Sequence, residues 1–317
     1  MKQYIISSFI SKLGGGNKAA VVFDDRGLSE KEMKTIAKKN NLSETAFISM
    51  KESSFPNFTI RYFTPEEEVD ICGHAALASF YVLEQLGYFR GDKAYHLTKA
   101  GRLTVLKQED VFLIQMKDPE VIGFADKDDI KRMTSLKEED IIANMDGNIS
   151  IISTGLKDAI IEVDSLRTLK NMSINKEEMI SFCKRKDIVG AHVFSRETIE
   201  DDSDFSCRNF APAVGIDEES ATGTSNASLI YYVKAFANLE EERSSFNTEL
   251  SFPKSSMDSA NTQQGINPPL NEVSFKIEQG YFMDSPSNIF VYVQDGEKMQ
   301  IFVGGRAETL ECQELSY

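Results

Sequence analysis

Two stretches of this chain are apolar on almost every face of a helix, and each follows an acidic run and a glycine corner. From Gly73 to Phe89 the residues Ala75, Ala76, Leu77, Ala78, Phe80, Tyr81, Val82, Leu83 and Leu86 leave no polar stripe. The stretch Ser225–Ala237 reads the same way. A helix without a polar stripe has to be enclosed by other elements. Alternating, β-branched and aromatic runs predict the enclosing strands. In the first half these are Tyr4–Ile10, Ala19–Phe23, Phe58–Phe63, Tyr95–Thr98, Gly101–Lys107 and Val111–Met116. In the second they are Ile149–Ser153, Ala159–Val163, Ala191–Ser195, Phe205–Phe210, Val273–Glu278, Ser287–Val293 and Gln300–Ala307. Ser29-Glu30-Lys31-Glu32 is a capping box that opens a helix to about Lys39. Asn175–Arg185 reads as a capped helix, Asp126–Met145 as one exposed acidic helix, and Ser244–Gly265 as a long polar loop.

The chain also resembles itself. Moving 150 residues along from Glu66–Leu83 lands on Ile216–Val233, so that Gly73 falls on Gly223, His74 on Thr224 and Tyr81 on Tyr231. An internal match at about half the chain length marks a duplicated unit. Strict βαβ alternation and a GxGxxG turn are both missing, which favours an α+β fold over a doubly wound parallel sheet. The expected organisation is two similar domains, residues 1–118 and 119–317, with Lys117-Asp118-Pro119-Glu120 at the boundary.

Composition narrows the function. A net charge of −15 argues against nucleic acid, whose phosphates require a basic surface. Four scattered cysteines without a CxxC pair suit free thiols in a reducing compartment. No run approaches the ~20 apolar residues of a membrane span. The N-terminal apolar run is short, broken by Ser7 and Ser8, and lacks a cleavage site for a signal peptide. The chain reads as cytoplasmic, with no membrane partner. Gly14–Asn17 is superficially like a phosphate loop but lacks the GK[ST] ending.

The candidate chemistry sits at the two corners. At Cys72-Gly73-His74 and Thr222-Gly223-Thr224 the start of a helix offers backbone N–H groups and a positive dipole end to an anion. The bland alternative is that both glycines only turn a corner. A two-thiol racemase would need cysteine at both corners, and the partner of Cys72 is Thr222, which cannot act as a base near neutral pH. Cys72 and His74 lie two residues apart in one corner, an unusual arrangement for a nucleophilic dyad. His74, His96 and His192 are far apart in sequence and make no metal-ligand pair. Glu44, just ahead of the apolar run Ala46–Ile48, is the candidate acid/base, since packing there would desolvate it. The alternative is a solvated loop glutamate. Glu218 and Glu219, ahead of the second corner, offer a second carboxylate.

Several ordered segments now point to a family. GGGNKAAVVF, NLSETAFI, VDICGHAALA, ISTGLKDAII, CRNFAPAVGIDEESATGTSNA, EQGYFMDSPSNIFV and IFVGGRA together resemble the PhzF-like (phenazine-biosynthesis) isomerases, relatives of diaminopimelate epimerase. The resemblance implies two diaminopimelate-epimerase-like α+β domains, each a strongly curved sheet wrapped around a central apolar helix. C-terminal residues would cross back to the first domain. It also implies a site between the halves, a homodimer, a small carboxylated substrate, and no metal or organic cofactor. The archetype isomerises a dihydro-hydroxyanthranilate, with one carboxylate moving a proton between carbons. Carried over, Glu44 is the proton shuttle and His74 a polar or relay group. Gly73 and Gly223 would offer N–H groups to the substrate carboxylate, and Thr224 matches a Ser/Thr position of the site. Glu219 stands where the family has Asp, Ser220 where it has Pro, and Ser285-Pro286-Ser287 lacks the family's Arg. These departures bear on the substrate more than on the fold. The alternative readings are a non-catalytic small-carboxylate-binding protein on the same fold and an epimerase or racemase using Cys72.

Overall fold

The computed structural model describes residues 1–99, 101–144, 147–236, 272–296 and 298–315. The predicted loop Ser244–Gly265 lies outside the described residues, as does residue 237, the end of the second apolar stretch.

Each central helix begins at its glycine, Gly73–Gln85 and Gly223–Phe236. The first stops four residues before Phe89, because Gly87 takes a left-handed φ of 75° and the Tyr88 and Phe89 N–H groups both return to Leu83 O. Both helices are buried almost all round and share one core with the sheet. Within it Phe80 stacks edge-on against Phe58, Phe89 and His96. Burying such a side chain stabilises by roughly 1.5–3 kcal/mol.

The two halves repeat one order of strand pairings. In the first, Lys2–Ser8 runs antiparallel to Asn17–Asp24, which is parallel to Glu44–Ser49 across the helix Glu30–Asn40. Glu44–Ser49 is antiparallel to Asn57–Phe63, which is parallel to Lys93–Thr98 across the central helix. Gly101–Gln108 and Val111–Gln115 then complete a meander. In the second half Ile149–Ser153, Lys157–Val163, Gly190–Ser195, Phe205–Ala211, Glu272–Gln279, Ser287–Gln294 and Gln300–Gly305 pair in the same sequence of senses. Outer helices, Glu30–Asn40 in one half and Lys176–Lys186 in the other, cover the far faces with Met33, Ile36, Met179 and Phe182.

The halves are also stitched together. The last strand of each meander pairs with its counterpart, Phe302 opposite Gln115 and Gly305 opposite Phe112. Beyond them each chain segment crosses over. Glu120–Ala125 joins Ile149–Ser153 of the second half, and Ala307–Glu314 joins Lys2–Ser8 of the first.

Two expectations need correcting. Asp126–Met145 is not one exposed helix. A short helix, Lys127–Met133, capped by Asp126, buries Ile130 and Met133, and Thr134 then becomes extended and bridges to Ile174. A 3-10 turn (Glu138–Asp140) and a short strand (Ile141–Ile142) follow, while residue 145 is outside the described set. Apolar residues at helical spacing were present there but too few to show which face was covered. The final strand Ala307–Glu314 was missed because almost all its side chains are exposed, so no alternation marks it.

Candidate active site

The two helix starts converge. A Cβ built on Gly73 would stand 3.5 Å from Gly223 Cα, so the two helix starts lie in van der Waals reach of each other. Matched hydroxyls brace the two corners: Ser8 Oγ donates to His74 O at 2.8 Å, and Thr154 Oγ1 donates to Thr224 O at 2.8 Å. Cys72 is the N-cap of the first helix and makes no side-chain capping bond. Two positive dipole ends therefore meet at one place.

Around that meeting point the fold collects Glu44, Cys72 and His74 from the first half and Glu219 and Thr222 from the second. Glu44 is the first residue of its strand, not a loop glutamate, and largely buried. His74 Nε2 lies 3.0 Å from Glu44 Oε2 and 3.2 Å from Ser43 Oγ. Glu44 Oε2 is buried and faces the His74 Nε2 as an ion pair, not as a well-aligned hydrogen bond. On the other side of the ring, Nδ1 is 3.4 Å from Cys72 Sγ, 3.3 Å from Asn17 Nδ2 and 3.9 Å from Glu219 Oε1.

Asn17, which sequence reasoning passed over, bridges the halves. Its Nδ2 donates to Glu219 Oε1 and Ala221 O, both at 3.0 Å. Those two acceptors use both amide protons, so Nδ1 of His74 is left to donate to the Cys72 sulfur. Gln279, also passed over, donates from Nε2 to Glu219 O and Thr222 Oγ1 and accepts from Thr222 N. Their placement in the segments GGGN and EQG, both inside family-like blocks, was the available signal. Thr224 is buried, with Cγ2 against Gly155. The Thr222 N–H, expected to be free for an anion, is taken by Gln279.

Glu218 belongs elsewhere. It holds Arg208 with two bonds of 2.8 Å, as Glu68 holds Arg61 with bonds of 2.7 and 2.8 Å at the matching place in the first half. This is a duplicated structural pair, and it leaves Glu219 as the second carboxylate.

The electrostatics separate the four titratable groups. Burial raises the Glu44 carboxyl, but the facing His74 ring and its hydrogen bonds outweigh that and hold it below its ordinary value. Burial pulls His74 down, and the neighbouring Cys72 and Glu44 more than reverse this, so the imidazolium is favoured well above 6.5. Glu219 is pushed up to about 7 by burial, eased by His74 and reinforced by the Glu44 charge. Burial, with the Glu44 charge behind it, pushes the Cys72 thiol up to about 11. The corner thus does bring thiol and imidazole together, contrary to expectation, but it keeps the sulfur protonated. Burial pulls His96 and His192 down to about 3.

Glu44, Cys72 and His74 present ligand atoms all within 4.8 Å of one another, a cluster that histidine spacing alone could not forecast. Mixed sulfur, nitrogen and oxygen donors suit zinc. A metal there would have to displace the thiol proton and the His74–Glu44 ion pair. No helix among the described residues is long and apolar enough to cross a membrane.

Comparison with known proteins agrees with this architecture. An uncharacterized isomerase of Clostridium acetobutylicum is 34% identical over 237 residues, 73% of this chain and 78% of its own. The uncharacterized isomerase YfhB of Bacillus subtilis is 32% identical over 243 residues, 74% of this chain and 82% of its own. A Bacillus anthracis phenazine biosynthesis protein of the PhzF family superposes with a TM-score of 0.78 at 23% identity, covering 100% of this chain and 99% of that one. A hydroxyproline epimerase from Agrobacterium vitis, solved with trans-4-hydroxy-L-proline, shares the fold at a TM-score of 0.58 and 10% identity, over 99% of this chain and 90% of that one. Residues 6–260 match the sequence profile described as phenazine biosynthesis-like protein, and the chain belongs to this PhzC-PhzF family of isomerases.

Proposed function

We propose that the protein is a cofactor-independent isomerase that moves a proton on a small carboxylated metabolite bound between residues 1–118 and residues 119–317. The observation carrying this reading is the convergence of Glu44, His74 and Glu219 on the meeting point of two helix N-termini. The dipole ends and the Gly73 and Gly223 backbones orient the substrate carboxylate. Glu44, ionised and paired with His74, takes a proton from a carbon next to an activating group. The electron pair left on carbon delocalises into the activating group, where protonated Glu219 donates a hydrogen bond and the charge of the His74 imidazolium offsets the developing negative charge. Glu44 then returns the proton to a different carbon. Cys72 and Thr224 line the site without taking part in the transfer, and Thr222 orients Glu219. The bound hydroxyproline of the Agrobacterium vitis epimerase is a carboxylate of the size meant here. A homodimer and a cytoplasmic location belong to the same proposal.

The test is deuterium wash-in. Small cyclic and unsaturated carboxylates are incubated in heavy water and followed by NMR, with Glu44→Gln as the comparison. Wild-type exchange that falls ~10²-fold or more in the variant supports the reading. Exchange that survives Glu44→Gln removes Glu44 as the base. Carboxylate binding without exchange of any candidate points to a binding protein.

A further inference from the structure

Gln279 sits behind Glu219, and its amide can have only one orientation. Its Oε1 accepts from the Thr222 backbone N–H at 3.1 Å and from Asn226 Nδ2 at 2.8 Å. Asn226 Nδ2 is itself fixed, because it also donates to the Thr222 carbonyl at 2.9 Å. Gln279 Nε2 donates to the Glu219 carbonyl at 2.7 Å and to Thr222 Oγ1 at 3.1 Å. Backbone groups cannot exchange donor and acceptor roles, so the assignment stands without seeing a hydrogen. With one lone pair of Thr222 Oγ1 occupied by Gln279, the hydroxyl proton is turned toward Glu219 Oε2, 2.9 Å away. Asn17 supplies the matching donor to Oε1 at 3.0 Å.

We infer that Gln279 is a positioning residue: it sets the direction of the Thr222 hydroxyl and thereby gives Glu219 the donor that stabilises its charged form. Removing that donor leaves burial less opposed, so Glu219 holds its proton to higher pH. The other groups facing Glu219 are His74, whose Nδ1 is 3.9 Å away, and Cys72, whose Sγ lies 3.4 Å from the same Nδ1, with Glu44 on the far, Nε2 side of the ring. On its own side Arg208 is held by Glu218, and Glu278 turns away to the N–H groups of Ile199 and Glu200. None of these touches the Gln279 amide. The catalytic meaning of the inference rests on the isomerase reading; the hydrogen-bond polarity does not.

The experiment therefore reads Glu219 directly. Protein labelled with ¹³C at glutamate carboxyls is titrated by NMR, with the Glu219 resonance identified by its loss in Glu219→Gln. Gln279→Met should raise the Glu219 midpoint by about 0.5–1 pH unit, the worth of one hydrogen bond. Thr222→Val should raise it by a similar amount, and Gln279→Met in the Thr222→Val background should add nothing further. If Gln279→Met does not fold, Gln279→Glu replaces it and is compared with the same change in Thr222→Val, where only the added charge acts. An unmoved midpoint, or shifts that sum fully in the double variant, overturns the inference. Should wild-type protein bind carboxylates without exchanging any of them while these shifts appear, the isomerase assignment falls and the role of Gln279 stands.

Discussion

Glu219→Gln should make the protein more stable, and increasingly so as the solution becomes alkaline. The Glu219 carboxyl is raised from 4.5 to about 7 on folding, with burial as the leading cause. A raised acid binds its proton more tightly in the folded state than in the unfolded one. The unfolding free energy contributed by this group therefore falls as pH rises from 4.5 to about 7, and the full cost persists above that. A span of about 2.5 pH units at 1.36 kcal/mol per unit amounts to about 3 kcal/mol. Glutamine carries the same shape as the protonated acid: its oxygen accepts from Asn17, and its amide donates to Thr222 Oγ1, which has a second lone pair beside the one Gln279 uses. It forfeits the attraction between a Glu219 carboxylate and the His74 ring at 3.9 Å, which returns part of the gain.

Urea unfolding at pH 5 and pH 8.5 measures the balance. The stability of the variant relative to wild type should grow by about 1–3 kcal/mol between those two values, with the denaturant slope unchanged. Parallel stability curves for the two proteins would mean that Glu219 is not held protonated. A wild type that gains on the variant as pH rises would reverse the sign of the reasoning.

Other consequences are quickly checked. Iodoacetamide at pH 7.5, followed by mass spectrometry, should label exposed Cys312 first and spare Cys72, whose thiol is buried and pushed up to about 11. On the proposed mechanism, with Glu44 as the base, Cys72→Ser should change the deuterium exchange rate by less than about tenfold; loss of exchange on the scale of Glu44→Gln would return the chemistry to the thiol. Phe80→Ala removes a ring packed against three others and should cost about 3–5 kcal/mol in chemical denaturation. Arg208→Met should destabilise while leaving the Glu219 titration in place, because Arg208 answers Glu218 and not Glu219; a moved Glu219 midpoint would contradict that division.

Much of the architecture was readable because the two central helices break a rule visibly. Their apolar residues run all round, which forces enclosure, and the capping box at Ser29 marks its helix to within a residue. The acid/base candidates Glu44 and His74 were readable as types in a corner and at a strand entry. Their contact was not, because 30 residues of chain separate them and only the pairing of strands closes the distance. Asn17 and Gln279 escaped notice for a related reason. A neutral amide has no pattern of its own, and its importance lies in which backbone groups it happens to face. The exposed strand Ala307–Glu314 lacked alternation, so the return of the chain to its own beginning left no mark in hydropathy.

Strand register carries the comparison of the halves further than sequence spacing could. Ser7 faces Lys18 as Ser153 faces Lys157, which makes Ala19 the counterpart of Asp158. Ala19 then faces Glu44, whereas Asp158 faces Gly190. Continuing across the next strands, Ala46–Tyr62–Val69 corresponds to His192–Asn209–Glu219. Glu44 therefore has a glycine as its counterpart, and Glu219 a valine. A side chain at Gly190 would meet Phe210 O at 2.0 Å, so no second base can be accommodated there without moving the neighbouring strand. The duplication preserved the helix ends, the bracing hydroxyls and the Arg–Glu pairs, and it placed each carboxylate at a position its partner half leaves apolar or empty. A symmetric exchange, with equivalent bases on opposite faces of one carbon, lacks the groups it needs. Two inequivalent carboxylates sharing one imidazole instead favour a single ionised base and a separate acid, with the proton removed and returned on one face of the substrate.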